Sequence, residues 1–493
     1  MRWWLWIFLC WAAVANAHDS LNSQPLYQWK NAPGDSTLAQ AVAADQAGNF
    51  QFSQGRGISA GYTHQVQWLK LSAPTPIQSQ QRVYLTVYPS YLDDIQLFYQ
   101  NRQGEWQQRM AGDLVPFTER EWPDNRFIFE LDTQQLAVNQ PLYLRLQTTS
   151  TSLMIVEWAD PRSYMRQAQQ GFWWLGLELG ILVTLIVAQL ISGLWQRETL
   201  FRAYLIYLVA LFITLLSHHG LLAWLFADSL PPWLSHHATS ITTLAHNLAI
   251  ILFYRSVLSI NHATTPWLNG AVWLMLILIS LGLISVLFGF YVDVIPTILL
   301  ASILLWLAFF QRAWIFMRRT TSLSQKREQQ VLIFATLMAF VGKLLLIGSV
   351  LGWLPVAGWL IYAVNINLVV LVLSFQWIIS HRIAELSRAK QQAELQLVAS
   401  KTHLQQAICA KEEQGRLLDM LNHELKNPLA VIRMALGRMT LNDKAKSYAE
   451  QAVQDMNSIL ERCTYSDKLE YHRLSPVKQR FDLSLVLHQW LMP

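Results

Sequence analysis

The chain has 493 residues, of which 53% are hydrophobic and 14% are charged, and its mean hydropathy is +0.23. These values exclude an ordinary soluble protein, because so much apolar side-chain surface must face lipid. The net charge of +5 does not indicate nucleic-acid binding, since the basic residues form no single stripe and many flank apolar spans. We therefore interpret the charge as a determinant of membrane topology.

Residues 1–17 have the pattern of a cleaved secretory signal. Arg2 precedes a run without charge, and Ala15-Asn16-Ala17 supplies the small residues expected at a cleavage site. We therefore expect residues 18–165 to be exported. This domain must be stabilised by its core and not by disulfides, because the three cysteines lie elsewhere, at Cys10, Cys409 and Cys463.

The exported domain is predicted to be an all-β sandwich. Between Gln65 and Trp158 apolar residues alternate with polar ones, which is typical of strands with one buried face. Asn101-Arg102-Gln103-Gly104 lies between two such runs and predicts a hairpin turn. An antiparallel sandwich is the simplest fold for the seven or so strands, which are predicted at 66–71, 82–88, 94–99, 106–108, 126–131, 141–147 and 153–158.

Residues 172–380 predict a bundle of seven transmembrane helices. Each apolar stretch is close to the roughly 20 residues that cross a bilayer. With the exported domain outside, the Lys and Arg residues between the spans fall on the inner side, so the carboxyl terminus should be cytoplasmic. The predicted spans are 172–195, 203–226, 236–257, 268–290, 294–316, 331–353 and 359–380.

Several titratable residues lie within the predicted spans, where charges cost free energy unless they pair or face the bundle interior. We hypothesise that Glu178 in the first span contacts Lys343 in the sixth. A group of histidines towards the outer ends of the second and third spans could bind a metal or sense pH. We interpret them as satisfied interfacial side chains and predict no metal site; they are His218, His219, His236, His237 and His246.

Residues 381–415 predict a coiled-coil signalling helix. After a turn near Asn442, residues 444–471 predict a second amphipathic helix. Two such helices within residues 416–475, doubled in a homodimer, would form a four-helix bundle. The heptad seam is imperfect but mostly apolar, and it runs through Ile383, Lys390, Leu397, Leu404, Lys411, Leu418, Leu425, Ile432 and Met439.

The most specific motif is His423-Glu424-Leu425-Lys426-Asn427-Pro428-Leu429. In the heptad frame His423 falls on the outward face, and Asn427 lies one turn further along the same side. A largely neutral imidazole can attack phosphorus through one ring nitrogen while Glu424 accepts a hydrogen bond from the other. Pro428 lacks an N–H and should kink the helix. A lone histidine is ordinarily a plain surface residue, but these neighbours together indicate a phosphoacceptor.

This segment resembles the H-box of dimeric sensor histidine kinases, whose signature is His-Glu-Leu-x-x-Pro-Leu, and the similarity extends through about Asp482. The resemblance implies that His423 receives the γ-phosphoryl group of ATP and passes it to an aspartate on the receiver domain of a response regulator. It also implies that Glu424 serves as base and that Asn427 positions water during dephosphorylation. Asn422 departs from the family, which more often has a small residue at this position.

In that family an ATP-binding lobe follows the bundle, with an Asn-bearing helix and glycine-rich Asp-x-Gly-x-Gly segments. Residues 476–493 resemble only the linker and first strand that lead into such a lobe. We therefore expect a fragment of a longer kinase, in which ATP and Mg bind only through a missing or partner lobe. The alternative is a catalytically incomplete receptor or phosphatase-type platform that works in trans with a partner kinase.

The exported domain resembles the extracytoplasmic module of seven-transmembrane receptors with diverse intracellular signalling modules. This implies a jelly-roll sandwich that binds a carbohydrate-like or other small ligand, in a multi-pass protein of the bacterial inner membrane. A transporter would also have many spans, but transport requires neither an exported sandwich nor an H-box. The shared residues are Trp68-Leu69-Lys70, Tyr88-Pro89, Leu92-Asp93, Gly112-Asp113, Pro116 and Arg120.

Overall fold

The computed structural model describes residues 25–30, 32–53, 55–72, 82–137, 140–195, 199–226, 229, 231–319, 323–354, 358–438 and 443–470. The predicted signal at 1–17, the seam residue Met439 and the segment 476–493 lie outside these residues. The chain divides into two units, Met1–Arg382 and Ile383–Pro493, and each is described by itself.

The first unit begins with an antiparallel β-sandwich. Its larger sheet has the strand order β2-β1-β4-β9-β6-β7, and its smaller sheet has the order β3-β10-β5-β8. A short helix, α1 (Leu38–Gln46), follows the first strand. The strands are β1 Leu26–Trp29, β2 Phe50–Ser53, β3 Gly57–Tyr62, β4 Gln67–Ser72, β5 Arg82–Tyr88, β6 Asp94–Gln100, β7 Trp106–Ala111, β8 Phe127–Asp132, β9 Pro141–Gln147 and β10 Thr151–Ala159.

All seven predicted strands are present, as β4 to β10. The hairpin between β6 and β7 is also present: Gly104 has φ +82°, and the Asn101 N–H donates to the Glu105 carbonyl at 2.9 Å. The prediction missed β1, β2 and β3, all of which precede Gln65. The sandwich is therefore larger than the sequence pattern indicated.

The sandwich core lies between the two sheets. Leu69, Leu97 and Leu144 come from the larger sheet, Leu85 comes from the smaller one, and all four are 0% exposed. Burying a side chain of this size stabilises the fold by about 1.5–3 kcal/mol. No disulfide is needed to explain a domain with such a core.

Nine further helices follow the sandwich among the described residues. They are α2 Pro161–Trp195, α3 Thr199–His218, α4 Leu221–Phe226, α5 Pro232–Val257, α6 Pro266–Leu287, α7 Tyr291–Arg319, α8 Leu323–Val350, α9 Gly358–Arg438 and α10 Asp443–Glu470. Only the part of α9 up to Arg382 belongs to the first unit.

Helix α2 begins well before residue 172, where the first span was predicted to start. Asp160 caps it, since its Oδ1 accepts the N–H groups of Arg162 at 2.8 Å and Ser163 at 3.0 Å, and Pro161 suits the first helical position. Tyr164, in the next turn, donates to Asp124 of the sandwich at 2.6 Å. The first turns of α2 therefore pack against the sandwich.

Six of the described helices are long and apolar enough to cross a membrane: α2, α3, α6, α7, α8 and α9. The third predicted span lies in α5, which is not among the six, so the predicted count of seven is not confirmed. Helix α5 nevertheless packs against both α3 and α6, and Phe253 and Tyr254 on it are fully buried. Its polar residues are compatible with a position inside the bundle.

The second predicted span, 203–226, is not one helix. Helix α3 ends at His218, and Gly220 follows with φ +68° before the short helix α4. A left-handed residue just past a helix end is a common helix terminator, and glycine adopts this conformation without steric cost.

The second unit contains the rest of α9 and α10. Leu429 on α9 and Val453 on α10 are 7% and 6% exposed, and other apolar side chains of both helices line one groove. The predicted second helix at 444–471 thus corresponds to α10. Helix α9 continues through Pro428 to Arg438.

Candidate functional site

The sandwich is joined to the outer ends of two helices through hydroxyl groups. Ser90 Oγ donates to the His218 carbonyl at 2.9 Å, and Ser59 Oγ donates to the Ser349 carbonyl at 2.6 Å. Thr151 Oγ1 donates to the Val350 carbonyl at 3.2 Å. These carbonyls belong to the last turns of α3 and α8, beyond the reach of further helical N–H groups, although the Gly352 N–H also donates to the Ser349 carbonyl at 3.2 Å. The sandwich hydroxyls therefore add hydrogen bonds to the carbonyls at these two helix ends.

Two glycines allow this close approach. A Cβ at Gly220 would lie 2.9 Å from the Ser90 Cβ, and a Cβ at Gly352 would lie 2.5 Å from the Ser59 carbonyl oxygen. Both residues have positive φ, +68° and +76°. Any side chain at either position would push the sandwich away from the helix end.

Two carboxylates of the sandwich meet next to this junction. Asp93 directly precedes β6 and Asp113 follows β7, and the pairing of Ile95 with Ala111 brings the two ends together. The Asp113 N–H donates to the Leu92 carbonyl at 2.8 Å. Gly112, at φ +131°, approaches so closely that a Cβ there would lie 1.9 Å from the Asp93 carbonyl oxygen. The backbone thus fixes the two carboxylates side by side.

His236, near the start of α5, reaches both carboxylates. Its Nδ1 lies 3.3 Å from Asp113 Oδ1, and its Nε2 lies 3.8 Å from Asp93 Oδ2 and 3.3 Å from Thr149 Oγ1. Asp93 Oδ2 also accepts the backbone N–H and the hydroxyl of Thr149, at 2.6 and 2.7 Å. Asp93 Oδ1 is buried and has no hydrogen-bond partner within the described part of the chain.

Burial raises the pKa of the Asp113 carboxyl to about 7. The nearby Asp93 also raises this pKa, whereas the hydrogen bond with His236 lowers it. Burial therefore disfavours the charged form of this carboxyl, and the contact with His236 partly offsets that effect.

The structure corrects the interpretation of the five histidines as one group. His236 belongs to the carboxylate cluster, and its ring lies 4.5 Å from that of His237. His218 faces its own helix, with Nδ1 3.0 Å from the Thr214 carbonyl. His246 lies two to three turns further along α5, beside Tyr207. Sequence reasoning singled out His236 but did not connect it with Asp93 and Asp113.

The predicted contact between Glu178 and Lys343 is wrong. Lys343 Nζ donates to Asn247 Oδ1 at 2.8 Å, so α8 is joined to α5 and not to α2. Glu178 is 6% exposed, and its Oε1 has no hydrogen-bond partner in the described residues. Both residues lie in helices that are long and apolar enough to cross a membrane, but they do not pair.

The predicted phosphoacceptor surface lies on the part of α9 that belongs to the second unit. His423, Glu424 and Asn427 are all exposed. No hydrogen bond joins His423 to Glu424 in the described structure, as expected for neighbouring residues that point about 100° apart around a helix. Pro428 has no N–H, so the Glu424 carbonyl lacks its helical donor one turn away. The motif therefore presents an accessible imidazole beside a locally weakened helix.

An apolar groove of about 370 Å³ lies just beyond this surface, between α9 and α10. It is lined by Leu425, Pro428, Leu429, Ile432, Met456, Ile459 and Leu460. Pro428 thus contributes to the packing of the two helices as well as to the backbone next to His423.

Comparison with known families identifies the two parts of the first unit. Residues 24–158 match the family model 7TMR-DISM extracellular 2, and residues 172–382 match the model 7TM diverse intracellular signalling. Both kinds of domain are typical of membrane sensor proteins linked to signalling. No curated protein matches the chain.

The hydrogen bond between Lys343 and Asn247 can be tested by double-mutant cycles, in which the free energy of unfolding is measured in detergent. We expect Asn247→Ala and Lys343→Met to show a coupling energy of about 0.5–2 kcal/mol, because each removes the partner of the other. The cycle of Glu178→Gln with Lys343→Met is the control and should give a value near zero. A larger coupling for Glu178 than for Asn247 would contradict the structure.

Proposed function

Because the chain carries the extracellular and membrane domains of 7TMR-DISM receptors, we propose that it is a sensor histidine kinase of a two-component phosphorelay, with His423 as phosphoacceptor. The observation that carries this proposal is the exposure of His423 within its motif, with Asn427 one turn away on the same accessible side. An exposed imidazole at near-neutral pH can act as a nucleophile, whereas a buried one would have to pay a desolvation cost first.

The proposed chemistry moves a phosphoryl group from ATP to His423 and then to an aspartate. One ring nitrogen of His423 attacks the γ-phosphorus of ATP, a P–N bond forms, the bond to the β-phosphate oxygen breaks, and ADP leaves with its Mg. Glu424 accepts the proton that the imidazole loses. The nucleotide must be held by a lobe outside the described residues or by a partner kinase acting in trans.

The phosphoryl group then passes to an aspartate on a receiver domain, and the P–N bond breaks as the acyl phosphate forms. In the reverse role, the Asn427 side chain orients a water that attacks this acyl phosphate. The exposure of His423, Glu424 and Asn427 supports both roles, because a receiver domain has to approach the same surface.

A homodimer is the oligomeric state that the second unit supports. Leu397, Leu404 and Leu418, which are seam positions, are 57%, 63% and 42% exposed in the single chain. Exposed leucines at these heptad positions favour association, and a second copy would cover them with the same side chains. His423 lies outside the seam and stays accessible in such a dimer.

The proposed cellular location is the bacterial inner membrane, with the sandwich outside and the second unit, which carries His423, in the cytoplasm. The arginines next to the inner helix ends support this orientation, as in Arg255, Arg318 and Arg319 at the last turns of α5 and α7.

The phosphoacceptor role predicts acid-labile labelling at a single histidine. When a competent nucleotide lobe and γ-labelled ATP are supplied, the wild-type chain should acquire an alkali-stable label and His423→Gln should acquire none. The matched control is His403→Gln, which removes an exposed histidine from the same helix and should leave the label unchanged. Labelling that survives in His423→Gln would contradict the proposal.

If the chain forms the proposed dimer, a charged side chain introduced outside the seam should be tolerated, whereas one introduced within the seam should not. Leu418→Glu should shift the protein towards monomer and reduce labelling of His423 by about tenfold or more, because two carboxylates would face each other in an apolar seam. Met420→Glu, two residues away on the outward side and 56% exposed, should change neither property. Sedimentation in detergent measures the oligomeric state. If Leu418→Glu and Met420→Glu have the same oligomeric state and the same labelling, this seam is excluded.

A further inference from the structure

We propose that Asp93, Asp113 and His236 bind a divalent transition-metal ion of the zinc class at the junction between the sandwich and α5. Each of the three residues offers one ligand atom, and these atoms lie within 4.8 Å of one another. Three protein ligands of this kind leave a coordination position for water or for an extracytoplasmic ligand.

The unpartnered Asp93 oxygen is the observation that points to a cation. Asp93 is only 3% exposed, and its Oδ1 has no hydrogen-bond partner among the described residues. A buried carboxylate oxygen without a partner costs free energy, and the neighbouring Asp113 adds a second negative group. An ion between the carboxylates would remove both costs at once.

The ligand set favours one class of metal. An imidazole nitrogen combined with two carboxylate oxygens suits zinc and related transition metals, whereas calcium and magnesium prefer oxygen ligands alone and in larger number. The only imidazole in the cluster comes from α5, and the carboxylates come from the sandwich.

Residues around the cluster already hold the ligands in place. Thr149 donates its N–H and hydroxyl to Asp93 Oδ2, which fixes the orientation of this carboxylate beside His236. The backbone bond from Asp113 to Leu92 and the close approach at Gly112 fix the second carboxylate. Such supporting contacts are what orient ligands in metal sites.

An ion at this position would connect two parts of the receptor. Its ligands come from the end of the β6–β7 hairpin and from a residue near the start of α5, so its binding would stabilise the arrangement in which they touch. Metal occupancy would thereby bias the position of a helix inside the bundle.

The test uses the full chain in detergent or nanodiscs, purified with a tag that lacks histidine and stripped with a chelator. Equilibrium dialysis with Zn²⁺, followed by elemental analysis, should find one ion per chain and a higher unfolding midpoint. Asp93→Asn and His236→Gln should each weaken Zn²⁺ binding by at least tenfold. The control His64→Gln removes an exposed histidine of the same sandwich and should bind as the wild type does.

A second measurement keeps the proposal testable if a variant does not fold. Co²⁺ bound to the wild-type chain should give visible d–d bands that Zn²⁺ removes and that millimolar Ca²⁺ does not. The proposal is overturned if the wild type binds no metal, if His236→Gln binds Zn²⁺ as tightly as the wild type, or if Ca²⁺ displaces the ion equally well. None of these results depends on phosphorylation of His423.

Discussion

The structure of the first unit depends on hydrogen bonds from sandwich hydroxyls to the last carbonyls of α3 and α8. The Ser349 carbonyl also accepts the Gly352 N–H at 3.2 Å, whereas a buried carbonyl at a helix end without any partner would cost about 1–3 kcal/mol. Ser90, Ser59 and Thr151 supply the donors, while Gly220 and Gly352 keep the space free of side chains. This constraint holds the sandwich directly on the outer helix ends, and it places Asp93 and Asp113 beside His236.

Helix α5 contacts both the sandwich and the last residue of the first unit. At its outer end His236 contacts the sandwich carboxylates. At its carboxyl-terminal end the Val257 carbonyl lies 3.4 Å from a guanidinium nitrogen of Arg382, whose Nε lies 2.5 Å from Glu328 of α8. Arg382 is the last residue of the first unit, so a shift of α5 would reach the point where α9 continues into the second unit.

The sequence predicted features that are local and missed those that depend on tertiary contacts. Strands β4 to β10 alternate clearly, whereas β3 reads Gly-Ile-Ser-Ala-Gly-Tyr and has too few large apolar residues to show a pattern. The His423 motif is contiguous and could be read directly. Asp113 and His236 are 123 positions apart, and only the fold brings them together. Hydropathy placed Glu178 and Lys343 in apolar helices but did not give the helix face of either, which is why their predicted pairing was wrong.

Solvent access at Ser90 tests most directly whether the sandwich is held on the helix ends. In a background without native cysteines, Ser90→Cys should react slowly with a membrane-impermeant maleimide, because this position is 8% exposed and faces Gly220. Gln103→Cys, at the exposed tip of the β6–β7 hairpin, is the reference and should react rapidly. Reaction that is about 100-fold or more faster at Gln103→Cys than at Ser90→Cys agrees with a sandwich held on the helix ends. Equal rates at the two positions would show that the sandwich does not rest on α3 and would contradict it.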